Sequence, residues 1–145
     1  MTKSSGRAFE GRTLASGRAR AAAVVLGEPL SLWGGFDPDT GRVIDERHPQ
    51  AGEKLSGRIV VMPSGRGSSS SSSVLAEAIR AGTAPVATLL AQPDDILALG
   101  ALVAHELYGL SHPIVVLEEG DYASIVSGDV LEVAATERNA RVVVA

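Results

Sequence analysis

The sequence contains no cysteine. That absence excludes a disulfide scaffold, a thiol nucleophile, a thiolate zinc site and any iron–sulfur cluster held by this chain alone. Any metal must use other ligands or sit on another chain. Aromatic residues make up 3% of the chain. With the arginines scattered and a formal net charge of -4, neither a stacking platform nor a basic stripe is available, and no nucleic-acid partner is expected. No apolar run approaches the roughly 20 residues that span a bilayer, and the basic, serine-containing start lacks the apolar stretch of a signal peptide. A cytoplasmic location without membrane contact is the expectation.

What is present is enough for one core. At 145 residues and 45% hydrophobic composition, a single domain can bury roughly 70% of the surface its unfolded chain exposes. Residues 1–25 read as a frayed N-terminal extension running into strands, and residues 26–145 as the domain proper. Pro29–Phe36 suggests a short strand stopped by Gly34-Gly35, followed by a turn at Asp37–Gly41 and a polar loop over Val43–Leu55. Arg58–Met62 is a strongly apolar strand. A glycine and serine loop follows, and then Val74, Leu75, Ala78 and Ile79 recur at helical spacing up to Gly82. Pro85–Leu90 is a second buried strand. Pro93 opens a second helix with Asp94 and Asp95 at its positive end and an apolar stripe of Ile96, Leu99, Val103 and Leu107. Pro113–Leu117 is a further strand, and the tail from Ile125 to Val144 holds two more β stretches. The pattern predicts a mixed α/β domain with two main helices.

The chemistry concentrates in Ser64-Gly65-Arg66-Gly67 and the six serines Ser68–Ser73. A serine tract by itself reads as a linker, but this one lies between a strand and a helix of one small domain, so its later serines are expected to start the helix. A glycine loop entering a helix presents unpaired backbone N–H groups where the helix dipole adds about half a positive charge, which suits an anion or an alkoxide. Arg66 could grip a carboxylate or phosphate with two parallel hydrogen bonds. The loop is neither a Walker A motif nor a nucleophile elbow. His48, His105 and His112 lack metal-ligand spacing. Trp33 reads as a core anchor, and the Gly34-Gly35 pair as a turn that also allows a ligand or second chain close to the backbone.

Taken together, Trp33-Gly34-Gly35-Phe36-Asp37, the Gly41 turn, His48-Pro49 and Pro63-Ser64-Gly65-Arg66-Gly67-Ser68-Ser69 resemble the small subunit of aconitase X, over most of the chain from about Leu30 onward. The resemblance implies the swivelling β/β/α domain of the aconitase superfamily. It also implies a heterodimeric partner, the large subunit, which holds an iron or iron–sulfur centre and without which this chain is inactive. By the same resemblance Ser68 is the base that removes the substrate proton. Ser64, Arg66 and Ser69 flank the same turn and are candidates for contact with a small carboxylate substrate or for loop shape, and Gly67, Gly34 and Gly35 are candidate substrate contacts by their position. Aconitases follow their serine loop with Arg-Glu-His, whereas this chain has Ser70-Ser71-Ser72, which argues against citrate. The family divides into cis-3-hydroxy-L-proline dehydratases and phosphomevalonate dehydratases. An alanine- and arginine-rich composition points to the first, and a non-catalytic anion-binding module is the remaining alternative.

Overall fold

The computed structural model describes residues 7–145. Two long strands come first, β1 (Arg7–Ala15) and β2 (Gly17–Val25), followed by a kinked helical turn α1 (Leu32–Gly35) and a small hairpin of β3 (Phe36–Asp37) and β4 (Arg42–Val43). The middle of the chain runs β5 (Ile59–Met62), α2 (Ser71–Ala81), β6 (Ala87–Leu90), α3 (Asp95–Tyr108) and β7 (Ile114–Leu117). A short helix α4 (Glu119–Ser124) and the hairpin β8 (Val130–Ala135) and β9 (Ala140–Val144) complete it.

The sheet closes into a barrel in the order β1-β7-β6-β5-β2-β8-β9, sealed where β1 pairs with β9. Strands β2, β5, β6 and β7 are parallel neighbours, because helical crossovers connect β5 to β6 and β6 to β7. The remaining pairs are antiparallel. This is the mixed α/β architecture with two main helices that the sequence implies.

The apolar run on β5 explains the two cores. Alternate residues point to opposite faces of a strand. Ile59 and Val61 pack inside the barrel with Leu89, Val115 and Leu131, whereas Val60 and Met62 pack outward against Leu75, Ala78, Leu97 and Ala101 of the helices. Both faces of β5 are therefore buried, which is why the strand reads as continuously hydrophobic. The two helices approach closely at Gly100, where a Cβ would lie 2.7 Å from the Ser72 carbonyl oxygen.

Four expectations change. The boundary after residue 25 does not exist as a break: Arg7–Val25 forms β1 and β2, which pair with β5, β7, β8 and β9. Their low-hydrophobicity sequence hid this, because the barrel neighbours bury only part of each strand. Pro29–Phe36 is not a strand; Leu32–Gly35 turns with Gly34 at φ +82, a conformation that glycine adopts freely. On α3 the buried face is Leu97, Gly100, Ala101 and Ala104. Leu99 and Leu107 are exposed, since small residues are needed where α3 meets α2. Finally, Trp33 is 60% exposed rather than a core anchor.

Candidate functional site

The loop between β5 and α2 leaves the barrel at the C-terminal end of its parallel strands, the end where open α/β sheets place their ligand sites. A parallel bridge between Leu30 and Gly65, and a 3.3 Å hydrogen bond from the Arg66 N–H to the Leu30 carbonyl, tie the loop to the segment entering α1. A Cβ at Gly65 would strike the Asp94 carboxylate, so any side chain here would have to displace it. Asp94 caps α3, accepting from the Ile96 and Leu97 N–H groups at 3.0 Å each. The first turn of α3 is thus fixed beside the loop. Gly67 has φ +79 and bare space around it.

Ser68 sits half-buried at the turn. Its hydroxyl accepts from the Ser70 N–H at 3.1 Å and its carbonyl accepts from the Ser71 N–H at 3.0 Å. Helix α2 begins at Ser71 and carries no acidic residue in its first turn. Among the described residues, the backbone N–H groups of Gly67, Ser68 and Ser69 make no hydrogen bond within the chain. Three such donors in succession at the start of a helix, where the helix dipole is positive, make this loop a candidate anion cradle.

The other expected site residues divide. Ser69 is exposed beside Ser68, and Ser64 donates from its hydroxyl to the Gly65 carbonyl at 2.9 Å. Arg66 projects to the surface and lies 3.6 Å from Glu28, both side chains about half exposed. Such a pair contributes little and opens readily. Gly34 is open, with nothing within 4 Å of the place a Cβ would take. Gly35 is not: it is buried against Leu30, and its carbonyl accepts from the Ile44 and Asp45 N–H groups. It shapes the turn and does not line the cradle.

Three residues of this end are not marked as site residues by the sequence. Ser71 is buried within the serine run, and its hydroxyl accepts from the Trp33 N–H at 3.2 Å. Glu28 is visible only once the Leu30 segment meets the loop. Asp94 reads in sequence as a dipole complement, and in space it also abuts Gly65.

His48 and His112 are structural, whereas His105 is exposed on α3. His48 receives the Gln50 N–H on Nδ1 and donates from Nε2 to the Glu28 carbonyl, each at 3.0 Å. His112 is buried and bonded to Thr88 at 2.9 Å, and burial pushes its pKa down to about 4 against the pull of a hydrogen bond to the Pro85 backbone. No group of three metal-ligating side chains occurs among the described residues. No described helix is long and apolar enough to cross a membrane.

The family model described as the aconitase X swivel domain matches residues 8–143, nearly the whole chain. The chain belongs to that family. The aconitase X swivel domain accounts for β1 as well as for the loop. A cis-3-hydroxy-L-proline dehydratase of Pseudomonas aeruginosa is 52% identical over 108 residues, which is 74% of this chain and 19% of that protein. The chain thus spans about a fifth of the length of that relative, and of a second dehydratase of the same name from Hypocrea jecorina. A phosphomevalonate dehydratase small subunit of Methanosarcina acetivorans is 35% identical over 89% of this chain and 86% of its own. Among solved structures, the crystal structure of Thermococcus kodakaraensis aconitase X in its holo-form superposes with a TM-score of 0.82. That chain is 29% identical, and the match covers 95% of this chain and 99% of that one.

Proposed function

We propose that this chain is the small subunit of a heteromeric dehydratase, and that Ser68 removes the proton α to the carboxylate of cis-3-hydroxy-L-proline. The observation that carries the proposal is the cradle: a half-buried serine hydroxyl beside three consecutive backbone N–H donors that nothing in the described chain occupies.

A serine hydroxyl is a weak base, and it serves only where its alkoxide is stabilised. The N–H groups of Gly67, Ser68 and Ser69 supply that stabilisation. One well-aimed donor is worth around 3 kcal/mol in measured cases, and a helix terminus adds about 0.3–1 kcal/mol. The Ser68 oxygen takes the Cα proton, the C–H electrons form the Cα=C3 double bond, and hydroxide departs from C3. The serine proton then leaves with the hydroxide as water, so the base is restored. The enamine product tautomerises to Δ1-pyrroline-2-carboxylate. Arg66 and the Ser64 and Ser69 hydroxyls orient the substrate carboxylate, with Arg66 exchanging Glu28 for it, and the bare Gly34 leaves room for the ring.

The donors of this chain do not fit an iron or iron–sulfur centre, since there is no cysteine and no described cluster of metal-ligating side chains. That cofactor belongs to the large subunit. A second reading has its own support: the phosphomevalonate dehydratase small subunit is matched over 86% of its length. In that case Arg66 and the same N–H groups receive a phosphate. Assaying the complex of this chain with its large subunit on both acids tests the choice. Turnover of cis-3-hydroxy-L-proline with none of mevalonate 5-phosphate is the expected result, and the reverse pattern replaces the substrate.

A further inference from the structure

We infer that Trp33 is the anchor that seats this domain on the catalytic large subunit beside Ser68. The inference rests on the dehydratase reading and adds to it the contact that holds the two chains together. Scattered exposed apolar side chains are ordinary on a protein surface, but Trp33 differs in how it is held. Its N–H donates to the Ser71 hydroxyl at 3.2 Å and its carbonyl accepts from the Ser31 hydroxyl at 3.1 Å, so the backbone is clamped from both sides. Trp33 as a whole is 60% exposed, and its indole N–H has no hydrogen-bond partner in the described chain.

The Ile44 N–H donates to the Gly35 carbonyl at 2.8 Å and ties the neighbouring chain to the glycine pair that follows Trp33. A rigidly presented tryptophan costs little entropy to immobilise and recurs as an interface hot spot. The location selects the occupant. Ser71, which holds Trp33, also donates its N–H to the Ser68 carbonyl at 3.0 Å, so Trp33 stands at the edge of the loop that a chain covering the Ser68 cradle must contact. The matching feature on the large subunit is an apolar pocket with an acceptor for the indole N–H.

The test mixes the wild-type domain, Trp33→Ala, Trp33→Phe and Ser68→Ala with the purified large subunit. It measures the association constant by calorimetry, and turnover with the domain at saturation. Trp33→Ala is expected to weaken association by about 30-fold and Trp33→Phe by less, while kcat and KM at saturation stay within about 3-fold of wild type. Thermal unfolding of Trp33→Ala at the wild-type temperature shows that the domain itself is intact. Wild-type association by Trp33→Ala overturns the proposal, and if its KM rises as well the indole touches substrate instead. A wild-type complex that assembles but dehydrates neither acid defeats the dehydratase reading, while the association of Trp33→Ala still decides the anchor. A wild-type domain that does not bind the large subunit defeats both.

Discussion

Replacing Gly100 with alanine tests how the helices hold the loop. In an exposed helix the change stabilises, because alanine is better by about 0.8–1.0 kcal/mol. At Gly100 the new Cβ would stand 2.7 Å from the Ser72 carbonyl oxygen, 3.2 Å from the Ser72 Cα and 3.1 Å from the Leu75 Cβ. Two of these are backbone atoms of the first turn of α2, so no rotamer change relieves the contact. The helices must separate by roughly half an ångström at the crossing. Overpacking of this kind costs about 1–3 kcal/mol, which outweighs the propensity gain and leaves a net loss of about 1 kcal/mol, or roughly 3–4 °C in Tm. Gly120 in α4 is the internal control, since nothing lies within 4 Å of its Cβ position and alanine there should be neutral or stabilising by up to about 1 kcal/mol. Urea unfolding of both variants against wild type reads the two signs. A Gly100→Ala domain as stable as wild type, or more so, refutes the close crossing.

Stability should also depend on pH through His112. Its folded pKa of about 4 lies below the 6.5 of an exposed imidazole. The unfolded chain therefore binds the extra proton between these values, and stability is lost as pH falls through that window, by about 3 kcal/mol in total. Urea midpoints that fall between pH 7 and pH 5 in wild type, and fall less in His112→Gln, are expected; identical slopes for the two contradict the assignment. Asp94→Ala removes the acceptor for two N–H groups of α3 and should cost about 1 kcal/mol in the same assay. Because Asp94 also abuts Gly65, the variant should lower dehydratase turnover in the complex even where the domain remains folded; unchanged turnover separates the cap from the loop.

Much of the central unit was readable because its signals are local. The apolar run at Ile59–Met62, the glycine loop and the helical spacing of Leu75, Ala78 and Ile79 each specify their own structure, and β5, α2 and β6 follow in that order. The strands β1 and β2 were not readable as part of the domain. Arg7, Arg12, Arg18 and Arg20 give them a polar character, and they are strands because β9, β7, β8 and β5 supply partners that lie far away in sequence. The phase of α3 misled for a related reason: Leu99 and Leu107 look like a core stripe, but the buried face is Leu97, Gly100, Ala101 and Ala104, with Gly100 set against α2. At the candidate site the motif located the loop, while the Ser71 tether to Trp33 and the Glu28 partner of Arg66 exist only once the Leu30 segment lies alongside.

The central claim is that Ser68 is the base, and one substitution addresses it directly. Ser68→Ala deletes the hydroxyl that accepts from the Ser70 N–H and leaves the three free N–H donors of the loop in place. Measured in the complex with the large subunit, it should abolish exchange of the substrate's α-proton with deuterated solvent and lower dehydration by at least about 100-fold. Association with the large subunit should stay at the wild-type level. A Ser68→Ala complex that still exchanges the α-proton and dehydrates near the wild-type rate contradicts the account.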